Sequence, residues 1–163
     1  MNKKKQPFHF RILKARIAET LIKELFKLNG YNVFNFGMEE VLPGIVGSLN
    51  KNTSTEAQSI RQLPDFVVQS NDDGSLHYVE VKYRHNGVFK RTELPDDFKY
   101  TNAFFIIVHK TGLNCISFSD LSKIGYLPAK APFTLRTQQQ FKICESSIKE
   151  FEGYAKMLFE GVK

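Results

Sequence analysis

Two β-rich runs joined by a four-residue turn occupy the middle of the chain. They read DFVVQS over residues 65–70 and SLHYVEVKY over residues 75–83, with Asn-Asp-Asp-Gly between them. A short polar turn between two such runs predicts a β-hairpin. A four-residue loop pairs Ser70 with Ser75, so the numbers of paired residues sum to 145. The hairpin therefore sets part of a sheet and the register within it.

This register places Asp65 directly opposite Glu80. Opposed side chains project from the same face of a sheet, about 5 Å apart at Cβ. Lys82 shares that face because it lies two residues beyond Glu80. Two carboxylates this close repel each other unless a cation lies between them, and both Lys82 and a divalent metal are candidates. The opposite face of the hairpin is apolar and is predicted to anchor it in the core through Phe66, Val68, Val79 and Val81.

Helices and further strands are predicted on both sides of the hairpin. The continuous apolar run at residues 103–109 is typical of a strand covered on both faces. Pro95 argues against a long regular helix in residues 84–100. The remaining predicted elements are helices at residues 10–29, 55–61, 120–124 and 138–160, and strands at 31–36 and 113–118. This order predicts an α/β fold with a central mixed sheet flanked by helices.

The last predicted helix carries a buried stripe at helical spacing, and Thr137 with Gln140 suggests a capping box at its start. Cys115, in a predicted strand, and Cys144, in the stripe, are both expected in the core. His77 falls on the apolar face of the hairpin, where a packed histidine is expected. The stripe consists of Phe141, Cys144, Ile148, Phe151, Ala155 and Leu158.

The first predicted helix carries an acid in an otherwise apolar row. Glu19 lies between Ala15 and Ile22, so it is expected to approach the sheet. A buried carboxylate needs a partner or becomes protonated, and a metal shared with Asp65 and Glu80 would supply one. The alternative is that Glu19 lies at the edge of the buried stripe and reaches solvent.

Composition limits the class of protein and its partners. With 163 residues, 42% of them hydrophobic, the chain is expected to form one domain over residues 1–163, with residues 1–8 as a flexible basic tail. The net charge of +6 favours anionic partners. No apolar run reaches the roughly 18 residues of a membrane span. Two cysteines are too few for a disulfide scaffold, and a cytoplasmic location is expected.

The pattern of Pro64-Asp65, then Glu80-Val81-Lys82 on the next strand, behind a helix bearing Glu19, resembles the PD-(D/E)XK nuclease superfamily. That superfamily includes restriction enzymes and Holliday junction resolvases. The resemblance spans about residues 9–110 and implies a restriction endonuclease-like sandwich.

The resemblance also implies a role for each residue. Asp65, Glu80 and the Val81 carbonyl would bind Mg²⁺ or Mn²⁺, and Glu19 would complete the site directly or through water. Lys82 would orient or activate the attacking water and steady the phosphate. The resemblance allows a homodimer, although the sequence marks no interface.

The expected function is metal-dependent hydrolysis of DNA phosphodiester bonds, in repair, recombination or restriction. The alternative is a catalytically inactive module of the same fold that binds nucleic acid or a protein partner. A third, weaker reading is a small partner-binding α/β protein whose hairpin acids are incidental. Glu39 and Glu40 are expected to be surface acids. Basic residues that could contact phosphates as a group, although each alone reads as an ordinary solvated charge, are Lys51, Arg61, Arg84, Lys90 and Arg91.

Overall fold

A five-stranded mixed sheet forms the centre of the computed structural model, which describes residues 8–36, 54–129 and 132–160. The strands are β1 (Tyr31–Asn35), β2 (Phe66–Ser70), β3 (Leu76–Tyr83), β4 (Phe89–Lys90), β5 (Phe104–His109), β6 (Gly112–Ser117) and β7 (Tyr126–Leu127). The central sheet has the order β1-β2-β3-β5-β6, and β4 pairs with β7 in a separate small ladder. Within the central sheet, β3 and β5 are parallel and the other neighbours are antiparallel.

Four helices lie in the described residues: α1 (Phe8–Leu28), α2 (Thr55–Arg61), α3 (Phe118–Ile124) and α4 (Glu145–Phe159). The serines Ser54 and Ser117 cap α2 and α3 by accepting hydrogen bonds from backbone N–H groups of the first turn. After α1, Gly30 adopts a φ of 79°, which a residue without Cβ does at little cost. The predicted α/β fold with a central mixed sheet flanked by helices is therefore confirmed.

The two faces of the sheet carry different layers. On one face, α1 and α4 pack over a core that includes Phe66, Val79 and Val81. On the other face, the crossover between β3 and β5 packs with α3 around a second cluster that includes Phe89 and Phe105. Strand β5 is buried on both faces, as its continuous apolar sequence predicts.

The hairpin register agrees with the prediction at every recorded pair. The partners are Phe66 with Val79, Val67 with Tyr78, Val68 with His77 and Gln69 with Leu76. The Ser70 N–H donates to the Ser75 carbonyl at 2.9 Å, and Gly74 takes the positive φ that the turn requires. The turn chemistry of residues 71–74 therefore determines which side chains of β3 face each layer.

The crossover between β3 and β5 contains no long helix, in agreement with the effect expected of Pro95. It consists of β4, a single 3-10 turn at Arg91–Glu93 and irregular backbone. Arg91 organises this segment by donating hydrogen bonds to the carbonyls of Leu94, Pro95 and Asp96.

The predicted start of the last helix is wrong. The helix α4 begins at Glu145 and not near residue 138. The preceding residues make tertiary hydrogen bonds instead. The Lys142 N–H donates to the Tyr31 hydroxyl at 2.8 Å, and the Cys144 N–H donates to the Asn29 side chain at 2.9 Å. These bonds hold the segment in a non-helical path across the end of α1.

The proposed capping box and part of the stripe are wrong for the same reason. The Thr137 hydroxyl donates to the carbonyls of Pro132 and Thr134, closing a 3-10 turn at Leu135–Thr137. Cys144 is exposed, as is Leu158, and Phe159 is buried in place of Leu158. Cys115 lies in the core as predicted.

The hydrogen bonds of residues 142 and 144 also fix the direction of α4. They place its first turn beside the end of α1, while the Phe159 ring at its other end stacks 4.3 Å from Tyr83. Lys14, in the first half of α1, lies over the same Tyr83 ring. The two helices therefore run antiparallel. No helix within the described ranges is long and apolar enough to cross a bilayer.

Candidate active site

Asp65 and Glu80 meet at the end of the hairpin. The recorded ladder ends at the Phe66–Val79 pair, and Asp65 lies in the bend just before β2. Extended by one step, the same register places Asp65 opposite Glu80. The Asp65 carbonyl accepts a hydrogen bond from Phe36 N at 3.1 Å, so the backbone of Asp65 is directed toward β1. Asp65 and Glu80 therefore form a non-hydrogen-bonded pair, the kind in which opposed side chains lie closest.

The Asp65 carboxylate is tied to the backbone of β3. Its Oδ2 accepts a hydrogen bond from the Val81 N–H at 2.7 Å. Burial raises the pKa of Asp65 well above its ordinary value, and the charges of Glu80 and Glu19 raise it further. Lys82 and the Val81 N–H act in the opposite direction but do not offset these effects. Negative charge is therefore concentrated here beyond what one lysine neutralises.

Lys82 contacts the second acid directly. Its ammonium forms a hydrogen-bonded ion pair with Glu80, whose side chain is 14% exposed, against 32% for that of Lys82. Burial alone lowers the pKa of Lys82, but the charges of Glu80 and Asp65 outweigh it and the pKa lies above its ordinary value. Lys82, one of the two cations considered for this face, therefore neutralises Glu80 through direct contact.

Glu19 reaches the same region from α1. It is partly buried, and its charge is close enough to Asp65 to raise the pKa of that carboxyl. Lys23, one turn further along the helix, places its ammonium 5.7 Å from the centre of the Phe66 ring, next to Asp65. This side of α1 therefore faces the start of β2.

The Val81 carbonyl shares the hairpin edge with Asp65. Because the Val81 N–H bonds to Asp65, the backbone of Val81 is directed toward β2, and its carbonyl points the same way. Extended two steps beyond the last recorded pair, the register places Pro64 opposite Val81. Proline has no N–H, so it cannot supply the ladder hydrogen bond that this carbonyl would otherwise accept. The role of Pro64 in the motif is thus to withhold a backbone donor from the Val81 carbonyl. The predicted pairing of the hairpin could have shown this from the sequence.

The chemistry of these donors suits a hard divalent cation. Carboxylates and a backbone carbonyl are the ligands that Mg²⁺ takes, together with water. In the described part of the chain, however, no group of three or more His, Cys, Asp and Glu side chains is arranged to hold a metal ion. Asp65, Glu80 and the Val81 carbonyl would hold the ion, with Glu19 nearby.

The basic residues predicted to contact phosphates fall into two groups. Arg84 and Arg91 are engaged within the crossover. Arg84 donates hydrogen bonds to Glu93 and to the Tyr83 carbonyl, and its charge partly opposes the rise in the pKa of Lys82. The guanidinium of Arg91 lies 5.1 Å from the centre of the Phe118 ring while bonding to loop carbonyls. These arginines organise the loop beside the site.

Arg61 and Lys90 form the second group and are exposed. Arg61 ends α2, four residues before Asp65, and Lys90 lies in β4. Lys51, Glu39, Glu40 and the basic tail up to residue 7 lie outside the described residues, and Phe8, assigned to that tail, begins α1. His77 packs edge-on against Phe104 and Phe141, as expected for a packed histidine.

Two features near the site were missed in the sequence. Lys14 is buried on α1 with its ammonium 4.9 Å from the centre of the Tyr83 ring, and burial lowers its pKa. A partly buried aromatic group of Phe36, Tyr78 and Tyr100 lies beside the acids. Tyr78 could have been found by alternation, since it shares a face with Glu80 and Lys82. The burial of Lys14 depends on tertiary packing that no local pattern signals.

Comparison with known proteins returns no match, whether against protein-family models, curated proteins or solved structures.

Proposed function

We propose that the chain is a metal-dependent nuclease of the PD-(D/E)XK type that hydrolyses phosphodiester bonds, with DNA as its substrate. The observation that carries the proposal is the opposition of Asp65 and Glu80, with Lys82 on the same face and Val81 bonded to Asp65. The hydrogen bond from Val81 gives Asp65 a structural role, but it does not explain a second carboxylate, Glu80, placed so close to the first.

Each residue has a task that this chemistry needs. A phosphodiester is anionic and resists attack, so the site must neutralise charge and supply hydroxide. Mg²⁺ or Mn²⁺, when bound, lowers the pKa of a ligand water. Asp65, Glu80 and the Val81 carbonyl would hold and orient the ion. Lys82 would stabilise the hydroxide and the developing charge on the phosphate, as its persistent positive charge allows.

The surrounding charge is consistent with a nucleic-acid substrate. The net charge of +6 draws a phosphate backbone toward the protein, while the acids at the hairpin end repel it in the absence of a cation. Arg61 and Lys90 are exposed, as residues that contact phosphates must be. Such contacts position a nucleic acid without reading its sequence.

A cleavage assay tests the proposal. The purified protein is incubated with linear, single-stranded, supercoiled and branched DNA, and with RNA, in Mg²⁺, Mn²⁺ or EDTA. Cleavage that needs the metal and is lost in D65N and K82M supports the proposal. D72N is the matched control, because Asp72 lies in the turn at the other end of the same hairpin. Activity that survives in both D65N and K82M, or cleavage of RNA alone, contradicts it.

A second candidate is a non-catalytic module of the same fold. It is favoured by the ion pair between Lys82 and Glu80 and by the lack of a three-ligand group among the described side chains. Such a module would bind nucleic acid in a salt-dependent manner. It would not cleave the nucleic acid, whichever divalent metal is added. Salt-dependent DNA binding without cleavage in Mg²⁺, Mn²⁺, Co²⁺ or Ca²⁺ would favour this candidate over the nuclease.

A further inference from the structure

One face of strands β1, β2 and β3 carries apolar side chains that reach solvent. The register pairs Phe34 with Val67 and Val67 with Tyr78, so these three side chains form a row across the strands. The row lies on the face that bears Glu80, because Tyr78 is two residues before Glu80. Phe34 is 51% exposed, and Leu76, two residues before Tyr78, is 61% exposed. Neither belongs to the two buried clusters that hold the sheet to its layers.

Two further aromatic rings connect this row to the candidate active site. The centre of the Tyr78 ring lies 5.3 Å from that of Tyr100 and 5.9 Å from that of Phe36. The backbone N–H of Phe36 donates to the carbonyl of Asp65 at 3.1 Å. Tyr78 and Glu80 are one side-chain repeat apart on β3, which is about 7 Å. We call this surface the aromatic sheet face, and its members are Phe34, Phe36, Val67, Leu76, Tyr78 and Tyr100.

Aromatic side chains on such a surface can stack on nucleic-acid bases. Every base has a π-face, so this stacking tolerates any sequence. In a duplex the bases are stacked on one another and present only their edges in the grooves. A base of a single strand can leave its neighbours and lie flat against a protein ring. A half-exposed phenylalanine on a sheet therefore suits an unpaired base better than a paired one.

We propose that the aromatic sheet face binds the unpaired bases of single-stranded DNA. This inference rests on the proposed nuclease function and narrows its substrate class. The acids and their metal ion would take the phosphate, and the neighbouring row, one repeat along the strands, would take a base of the same DNA strand. The face and the acids share one surface of the sheet, so the DNA strand reaches both without crossing an edge.

The charges beside the face favour a nucleic-acid strand over an apolar protein segment. Arg61 is exposed at the end of α2. Its neighbour Gln62 accepts a hydrogen bond from the Lys99 N–H at 2.9 Å, which brings this end of α2 close to Tyr100. Asp97 in the same loop accepts a hydrogen bond from Gln62 and lies 4.0 Å from the ammonium of Lys99, so its charge is partly balanced. With the net charge of +6, this border attracts a phosphate backbone.

A binding assay tests the preference for single strands. The full chain is titrated, in EDTA, into a labelled oligothymidylate of about 16 nucleotides and into a duplex of equal length. The single strand should bind at least roughly tenfold more tightly than the duplex, because only its bases can stack on the face. Equal affinities, or tighter binding of the duplex, overturn the inference.

Replacement of Phe34 tests the stacking. F34A should weaken binding of the single strand roughly tenfold and leave duplex binding unchanged. F34L should weaken it nearly as much, since leucine keeps apolar area but has no aromatic face. Y154A is the matched control, because Tyr154 is also exposed, at 39%, but lies on α4 in the layer that covers the opposite face of the sheet. Circular dichroism checks that each variant is folded. Wild-type affinity for the single strand in either F34A or F34L overturns the inference.

A tryptophan at position 34 reports stacking directly. The sequence contains no tryptophan, so F34W introduces a single one on the face, and Y154W introduces a single one on α4. Oligothymidylate should quench the emission of F34W in a saturable manner and leave that of Y154W unchanged. Unchanged emission of F34W at saturating oligothymidylate overturns the inference.

These measurements separate the inference from the proposed function, because binding in EDTA does not depend on cleavage. A preference for single strands in a chain that cleaves no DNA supports the binding site and contradicts the nuclease alone. A chain that cleaves DNA in Mn²⁺ but binds single strands and duplex alike contradicts this inference alone. Light scattering tests a different occupant of the face. If F34A abolishes self-association of the chain and leaves DNA binding unchanged, the face serves protein contact and the inference is overturned.

Discussion

The Asp65 carboxylate accepts a hydrogen bond from the Val81 N–H at 2.7 Å, directly beside the acid that it opposes across the hairpin. One side chain thus stabilises the end of the ladder and places a carboxyl group at the candidate active site. The arrangement disfavours the ionised form of Asp65, because burial and the charges of Glu80 and Glu19 raise the pKa of this carboxyl. Four predictions, three of them on this site, can be measured.

The first concerns Asp65 and pH. Its pKa is higher in the folded state than in the unfolded chain, so folding takes up a proton between the two values. The stability of the wild type should therefore fall as pH rises from about 3.9 through the raised pKa, by at most about 1.4 kcal/mol per pH unit. D65N retains an acceptor for Val81 but does not titrate, so it should become more stable than the wild type across this window. Thermal melts from acidic to neutral pH measure the difference, and parallel profiles for the two proteins would contradict the prediction.

The second concerns Lys82 as the counter-charge of the acids. K82M should lower stability at neutral pH by about 1–3 kcal/mol, because it leaves Glu80 and Asp65 without their cation. The loss should shrink at acidic pH as the carboxylates protonate. Millimolar Mn²⁺ should raise the melting temperature of K82M more than that of the wild type, since the metal replaces the missing charge.

A matched control for this variant is K99M, because Lys99 is exposed and lies 4.0 Å from Asp97. It should change stability by less than about 0.5 kcal/mol and should show the metal response of the wild type. An equal metal-induced shift in K82M and the wild type would show that no divalent ion replaces Lys82.

The third concerns Pro64 and the Val81 carbonyl. P64A restores an N–H at the position opposite Val81, where it can bond to that carbonyl and lengthen the ladder by one pair. Stability should change by no more than about 1 kcal/mol. Metal-dependent cleavage should fall roughly tenfold, because a Val81 carbonyl that already accepts a hydrogen bond is a poorer metal ligand. Full activity in P64A would show that this carbonyl does not need to stay available.

The fourth separates backbone strain from crowding around His109. Gly87 has a φ of 69°, and a Cβ there would lie 3.2 Å from the buried ring of His109. Gly125 has a φ of 79° with nothing within 4 Å of the same position. G125A should therefore cost only the backbone term, about 1 kcal/mol, while G87A should cost at least about 2 kcal/mol. Urea unfolding of both variants measures the difference, and equal losses would mean that the ring moves aside freely.

Local sequence chemistry was sufficient for the hairpin and for the short helices. The turn at residues 71–74 determined the register, and the register placed Asp65 opposite Glu80. The helix Thr55–Arg61 was predicted with the bounds that it has, and it is capped by Ser54 through its own hydroxyl. These elements are set by neighbours in sequence, which is why local patterns reveal them.

The features that were missed depend on contacts between distant parts of the chain. The start of α4 is delayed by hydrogen bonds from residues 142 and 144 to Tyr31 and Asn29, more than a hundred positions earlier. Those contacts override the helical periodicity of residues 138–144 and leave Cys144 in solvent. Lys14 is buried with its ammonium over the rings of Tyr83 and Phe10, which stabilise the charge through cation–π contacts. Helical spacing alone does not indicate these contacts.

The alternation along β3 makes the protein unusually sensitive to the length of one turn. Val79 and Val81 anchor the sheet to the helix layer, while Glu80 and Lys82 point to the other face. A slip of one position in the pairing of β2 with β3 would exchange these two sets. Glu80 would then face the core, and Val79 and Val81 would face the site. The same slip would therefore destabilise the fold and remove the site residues. The essential property of the turn is therefore that it keeps Ser70 paired with Ser75.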